Sequence, residues 1–201
     1  MESTDRTART GPAPVVPEPG PVAIPGPEPV AQPLPSAAAG SGADGFTHLS
    51  GDGSARMVDV TAKSPTVRSA TAEATVLVAP AVLAALTGGT VPKGDVWAVA
   101  RIAGIQAAKR CAELLPLAHV IGVHGATVDF EVGEDRIRVV ATARTADRTG
   151  VEMEAMTAAS VAGLAMVDMV KGLDRSVELT GIRLLEKTGG RSGTWRREGH
   201  A

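Results

Sequence analysis

Acids and ammonium groups gather in one stretch of this 201-residue chain, Thr149 to Asp174, which reads TGVEMEAMTAASVAGLAMVDMVKGLD. Asp168 and Lys171 interrupt its small, apolar run three residues apart, a spacing that makes them neighbours on one helix surface. An ionised group taken from water without a partner is costly, so folding alone gives no reason for an acid there. A carboxylate beside an ammonium can exchange protons with a bound reactant; the competing reading is a surface ion pair of little worth. Glu152 and Glu154 crowd the start of the run, where carboxylates suit the positive end of a helix dipole. Fourteen residues separate Glu154 from Asp168, which is about 40° in azimuth but about 21 Å along a helix axis. One subunit does not readily close both acids round a small reacting centre. Either they serve the two ends of a long ligand, or a neighbouring subunit completes each site.

Other segments supply cations and a histidine. Lys93, in the turn PKGD, precedes a helix start whose amides would join it in holding a phosphate, although the P-loop spacing is absent. His119 follows LPLA and suits a general base or a hydrogen-bonding contact to a ligand, with a satisfied structural histidine as the alternative. His119 and His124 are too irregularly spaced to suggest a metal, and His200 belongs to the terminus. In TGGRSG, Thr188 to Gly193, glycines let the backbone approach an anion while Lys187 and Arg191 add charge; a loose terminus is the plainer reading. No nucleophile elbow, dinucleotide fingerprint or zinc motif is present. The set suits an anionic, phosphorylated ligand undergoing acid–base chemistry.

The elements that must position these groups follow from pattern. Residues 1–45 hold ten of the 14 prolines and no aromatic, a Pro/Gly/Ala-rich tail that cannot bury enough to offset its ordering entropy. The folded part, 46–201, begins near Phe46. MVDV (Met57 to Val60) is a short candidate strand, and Thr66 to Val78 alternates as a longer one. Pro80 opens a short helix that Gly88 and Gly89 close. Asp95 caps a helix that runs to Leu115 before Pro116. Two strands joined by Gly133 to Asp135, the acid-bearing helix, and a strand from Val177 to Leu185 with a bulge at Gly181 complete the order. Residues 186–201 read as a flexible, glycine-rich, basic end. This is the α+β, ferredoxin-like βαββαβ pattern: an antiparallel sheet with two long helices on one face.

Composition narrows the class further. The net charge of −2 advertises neither nucleic acid nor an anionic membrane. Cys111 is the sole cysteine, which excludes an intrachain disulfide and fits a small core residue. The methionines at 153, 156, 166 and 169 read as core filler. No apolar run approaches the ~20 residues of a membrane span, and a cytoplasmic protein is expected. With only two Phe and two Trp, the core must use small side chains. The sheet's second face is expected to be apolar and covered by other subunits. An RNA-binding module of this topology would stack bases on aromatics, and this chain has no Tyr.

Four separated segments carry a resemblance: FTHLSGDGSARMVDVTAKSPTVR, PKGDVWAVARIAGIQAAKR, TGVEMEAMTAASVAGLAMVDMVKGLD and GIRLLEKTGGRSG. In that order they resemble the MoaC family of molybdenum cofactor biosynthesis over essentially all of 46–201. The resemblance implies a 3′,8-cyclised dihydro-GTP substrate, rebuilt into cyclic pyranopterin monophosphate with release of pyrophosphate. It implies Asp168, Lys171 and Lys93 as catalytic residues. Substrate would be bound by Leu117, Ala118, His119, Glu152, Met153, Glu154, Lys187 and Arg191. It further implies a hexamer built as a trimer of dimers, with the pocket at a subunit interface. No resident cofactor is expected; Mg²⁺ could accompany the substrate phosphates, since magnesium often needs no protein cage. Two departures stand out. Leu117-Ala118-His119-Val120 replaces the family's usual LCHP, and Arg191 stands where lysine is common. The altered loop raises an alternative, a weakened paralogue serving as a binding or assembly subunit.

Overall fold

The computed structural model describes residues 54–199; the tail 1–45, the expected start at Phe46 and His200 lie outside the described residues. In chain order the elements are β1 (Thr66–Leu77), α1 (Pro80–Thr87), α2 (Val96–Lys109), α3 (Cys111–Leu114), β2 (Gly125–Val132), β3 (Arg136–Asp147), α4 (Glu152–Val170), β4 (Glu178–Thr188) and β5 (Trp195–Arg196). The strands form one antiparallel sheet in the order β2-β3-β1-β4-β5. With α2 and α4 packed on one face, this is the ferredoxin-like arrangement that the pattern predicts.

Strand alternation sets the core. Ala70, Ala72, Ala74 and Val76 of β1 are buried, and the register places Ala72 opposite Ala141, Ala74 opposite Val139 and Val76 opposite Ile137. Onto this floor α4 lays Ala155, Ala158, Ala159, Ala162 and Met166. The helices approach closely because Gly104 of α2 has no side chain: a Cβ there would stand 2.8 Å from the Ala158 carbonyl oxygen and 3.0 Å from the Ala162 Cβ. Asp95 caps α2 as expected, its Oδ1 accepting the Ala98 amide at 3.0 Å. The bulge also falls where expected, at Gly181 with φ 62°, where the β1–β4 register shifts.

Four expectations need correction. Met57 to Val60 is irregular, not a strand. The second helix breaks at Arg110 (φ −114°, ψ 15°) and restarts as α3; the break turns Cys111 inward, where its Sγ accepts a hydrogen bond from Thr157 Oγ1 at 3.5 Å. The end after 186 is more ordered than its glycines suggest, because β4 continues to Thr188 and β5 pairs with it. The sheet's second face is polar. Thr71 and Thr142 share a hydrogen bond of 2.9 Å there, and Glu73, 3 % exposed, sits between the guanidinium groups of Arg138 and Arg183. Arg138 also pairs with Glu131. Small core residues therefore serve close packing of α2, α4 and the sheet, without requiring an apolar outer face.

Helix α4 is long and apolar enough by length and composition to cross a membrane, although half of that span is buried inside the domain. The acids at its ends break the apolar run in the sequence and so hide its length.

Candidate functional site

The residues singled out from the sequence form two groups, one at each end of α4. At the C-terminal end, Asp168 lies in the last turn, where the helix dipole disfavours a carboxylate. Two ammonium groups offset this. Lys171 Nζ reaches Asp168 Oδ1 at 2.7 Å and Lys93 Nζ reaches Oδ2 at 3.2 Å. Hydrogen bonds from Lys171, then Lys93, hold the Asp168 carboxyl below the usual carboxylate range. Lys93 Nζ also donates to the main-chain oxygen of Asp168 at 2.6 Å, satisfying a carbonyl that the end of a helix leaves without an intrahelical partner. The turn carrying Lys93 is thereby pinned to the acid. All three side chains remain roughly half exposed and are accessible to a ligand.

At the N-terminal end, a cavity of about 510 Å³ is lined by Leu117, Ala118, His119, Glu152, Met153 and Glu154, together with Val58, Val60, Lys63, Thr149, Gly150 and Ser192. Glu154 is only 4 % exposed. Burial pushes its carboxyl above the usual range; its own backbone amide and the Cys111 thiol oppose the shift, the Glu152 carboxylate adds to it, and His119 opposes it. His119 Nε2 lies 2.7 Å from the Val58 carbonyl oxygen. A carbonyl only accepts, so Nε2 is the protonated nitrogen, and Nδ1 carries the lone pair in the neutral ring. Lys187 Nζ donates to Ser192 Oγ, which brings that ammonium to the cavity wall.

Arg191 borders an adjoining cavity of about 770 Å³ with Lys63, Ser64, Thr66, Arg68, Gly190 and Ser192. Lys63 and Ser192 line both spaces. Gly189 makes the turn there possible: its φ is 85°, and a Cβ would stand 2.3 Å from the Val67 carbonyl oxygen. Sequence reasoning missed Lys63, Arg68 and Ser192. Lys63 follows a run read as a strand, and its approach to the cavity depends on long-range contacts. The hydroxyl of Ser192 sat inside a motif read for its glycines and cations. Among the described residues, no group of three or more His, Cys, Asp or Glu gathers to hold a metal ion.

The structure thus defines an α+β domain with an acid–lysine cluster at one end of its central helix and a walled pocket at the other. Its sequence matches the model of the MoaC family over residues 57–190, and the chain belongs to that family. A relative from Streptomyces coelicolor, cyclic pyranopterin monophosphate synthase, is 52 % identical over 163 residues, covering 81 % of this chain and 96 % of the relative. The protein of the same name from Geobacter sulfurreducens is 53 % identical over 155 residues, covering 76 % and 97 %. Cyclic pyranopterin monophosphate synthase 3 of Mycobacterium tuberculosis is 54 % identical over 153 residues, covering 76 % and 86 %.

Proposed function

We propose that this chain is a cyclic pyranopterin monophosphate synthase of molybdenum cofactor biosynthesis. It converts 3′,8-cyclised dihydro-GTP to cyclic pyranopterin monophosphate and releases pyrophosphate. The observation that carries the reading is Asp168 held between Lys171 and Lys93, in a chain more than half identical to enzymes of that name. Asp168 is kept ionised and so can accept a proton, while Lys171 returns one as the ring system is rebuilt. Lys93 and Lys187, with Arg191, hold the triphosphate and stabilise charge on the departing pyrophosphate. His119 and Glu154 orient the base or ribose, with Leu117, Ala118, Glu152 and Met153 forming the pocket around them. Mg²⁺, where required, enters with the substrate phosphates.

The working form is a cytoplasmic homohexamer, a trimer of dimers, with the two ends of α4 from neighbouring subunits closing on one substrate. Support comes from the separation of the two groups in a single chain and from an apolar groove of about 630 Å³ along α2 and α4. Ile102 is 60 % exposed and Leu164 59 % on these helices, a surface suited to subunit packing. The relatives named above all carry the synthase name, so the weakened-paralogue alternative finds no support there.

The test is turnover of freshly prepared cyclised dihydro-GTP by the purified full chain beside Asp168→Asn. Pterin and pyrophosphate formed by the parent and lost in the variant are expected. A well-folded oligomeric parent without turnover would overturn the reading. Ala118 and Val120 would then be the first residues to restore.

A further inference from the structure

One wall of the pocket is made by a segment with little apolar anchorage. Residues 56–65 form neither helix nor strand, and within them Val58 and Val60 alone are half-buried. Burial therefore contributes little to placing this wall, and polar contacts must. Locally the chain is folded by Asp59 Oδ1 accepting the Thr61 amide at 2.8 Å and Val60 oxygen accepting the Lys63 amide at 3.0 Å. Among the described residues, the side chains of His119 and Arg148 reach it from outside. His119 Nε2 donates to the Val58 oxygen, and Arg148 Nε donates to the Lys63 oxygen at 2.9 Å.

We propose that Arg148 is a positioning residue, latching the segment Val58–Lys63 across the pocket and, through Val58, fixing the orientation of His119. The latch is preorganised because the backbone of Arg148 is itself pinned. Its amide donates to Asp147 Oδ1 at 2.7 Å, and its oxygen accepts from Arg68 Nη2 at 3.2 Å. Arg68 Nε holds the neighbouring Asp147 oxygen at 3.1 Å. Rotamer freedom is lost mainly at the guanidinium, whose charged donor makes the stronger kind of hydrogen bond. At one end the latch sets the place of Lys63, which lines both cavities. At the other end the Val58 oxygen accepts the hydrogen bond of the proton on Nε2 of His119, so in the neutral ring Nδ1 is the nitrogen with the lone pair. The acid–lysine cluster at the far end of α4 takes no part, so the latch acts on binding and not on proton transfer.

This role rests on the proposed synthase reading, but its physical half can be measured without turnover. The probes are hydrogen exchange at the Thr61 and Lys63 amides of the full chain and steady-state kinetics with cyclised dihydro-GTP. Arg148→Met keeps the apolar stem and removes the donors. It is expected to speed exchange at both amides and raise KM by about tenfold, with kcat held within about twofold, as loss of one charge-assisted bond outside the chemical step predicts. Arg148→Lys, which keeps a donor, restores part of both effects. Arg136→Met, at the start of β3 next to the β2–β3 turn, moves neither. Unchanged exchange and KM in Arg148→Met would overturn the proposal, as would a collapse of kcat at constant KM. A parent that exchanges normally but turns nothing over would overturn the reaction reading, while the exchange comparison still decides the latch.

Discussion

The two ends of α4 carry carboxylates in opposite electrostatic conditions. Asp168 stands in water between two ammonium groups and is held ionised. Glu154 lies almost wholly out of water beside a thiol and a second carboxylate, and burial pushes it toward the neutral form. The same helix thus carries one carboxylate held in its charged form and one carboxyl group pushed toward its neutral form. Environment, and not residue type, sets these opposite tendencies.

The hardest test of that contrast removes the ionised acid. Asp168→Asn is expected to lower kcat by about 10³-fold, within the usual contribution of a general acid or base. Its circular dichroism and melting temperature should match the parent, because the side chain is exposed. A variant that melted early would instead make the Asp168 cluster a structural cap. Next comes Lys93→Met, which leaves Asp168 paired with Lys171 alone. A fall of about 10²-fold in kcat/KM is expected from loss of a phosphate-stabilising cation; the comparison weakens if the loss is confined to thermal stability.

A smaller effect, on stability alone, comes from a third carboxylate away from both ends. Glu73→Gln leaves Arg138 and Arg183 without the buried charge they share. It should cost about 2 kcal/mol of unfolding free energy, discounted because both arginines are partly exposed, with KM unchanged. Arg138, followed by Arg183, holds Glu73 below the usual carboxylate range against the cost of its burial. Its stabilising contribution is therefore present above the unfolded-state pKa and is lost as pH falls through the folded value.

Glu154 carries the opposite sign. Because its folded pKa is raised, the folded state binds the proton more tightly than the unfolded chain, and stability falls as pH rises from the ordinary carboxylate range through the raised value. Glu154→Gln should accordingly raise the melting temperature by about 3 °C at pH 7.5, roughly what 1 kcal/mol gives at this size. The gain should disappear at pH 4, and turnover should fall at both. Calorimetry at the two pH values checks the sign; an equal gain at both would mean that Glu154 is not biased toward its neutral form.

Local signals in the sequence were enough for most of the frame. Alternation from Thr66, the cap at Asp95 and the bulge at Gly181 depend on neighbouring residues, and they fall where those residues indicate. The three-residue spacing of Asp168 and Lys171 likewise gives a real contact at 2.7 Å. What was not legible depends on distant partners. Nothing near Arg110 announces the break in the second helix, which is tied to packing of Cys111 against Thr157, 46 residues on. Met57 to Val60, just before Lys63, reads as a short strand, while the partners that set this segment, His119 on Val58 and Arg148 on Lys63, lie 61 and 85 residues away. Glu73 fits the strand alternation, but its burial requires arginines from two other strands.

The alanine-lined centre has a consequence for how this protein can change over generations. In a core of large side chains, chance substitutions mostly shrink a residue and leave a void. Here Ala72, Ala74, Ala141, Ala155, Ala159 and Ala162 are fully enclosed, and nearly every replacement is an enlargement. Growth in a filled space forces side chains off their rotamers and shifts the backbone, and a displaced α4 would carry both groups of charged residues with it. Heat-sensitive variants should therefore concentrate among these smallest residues.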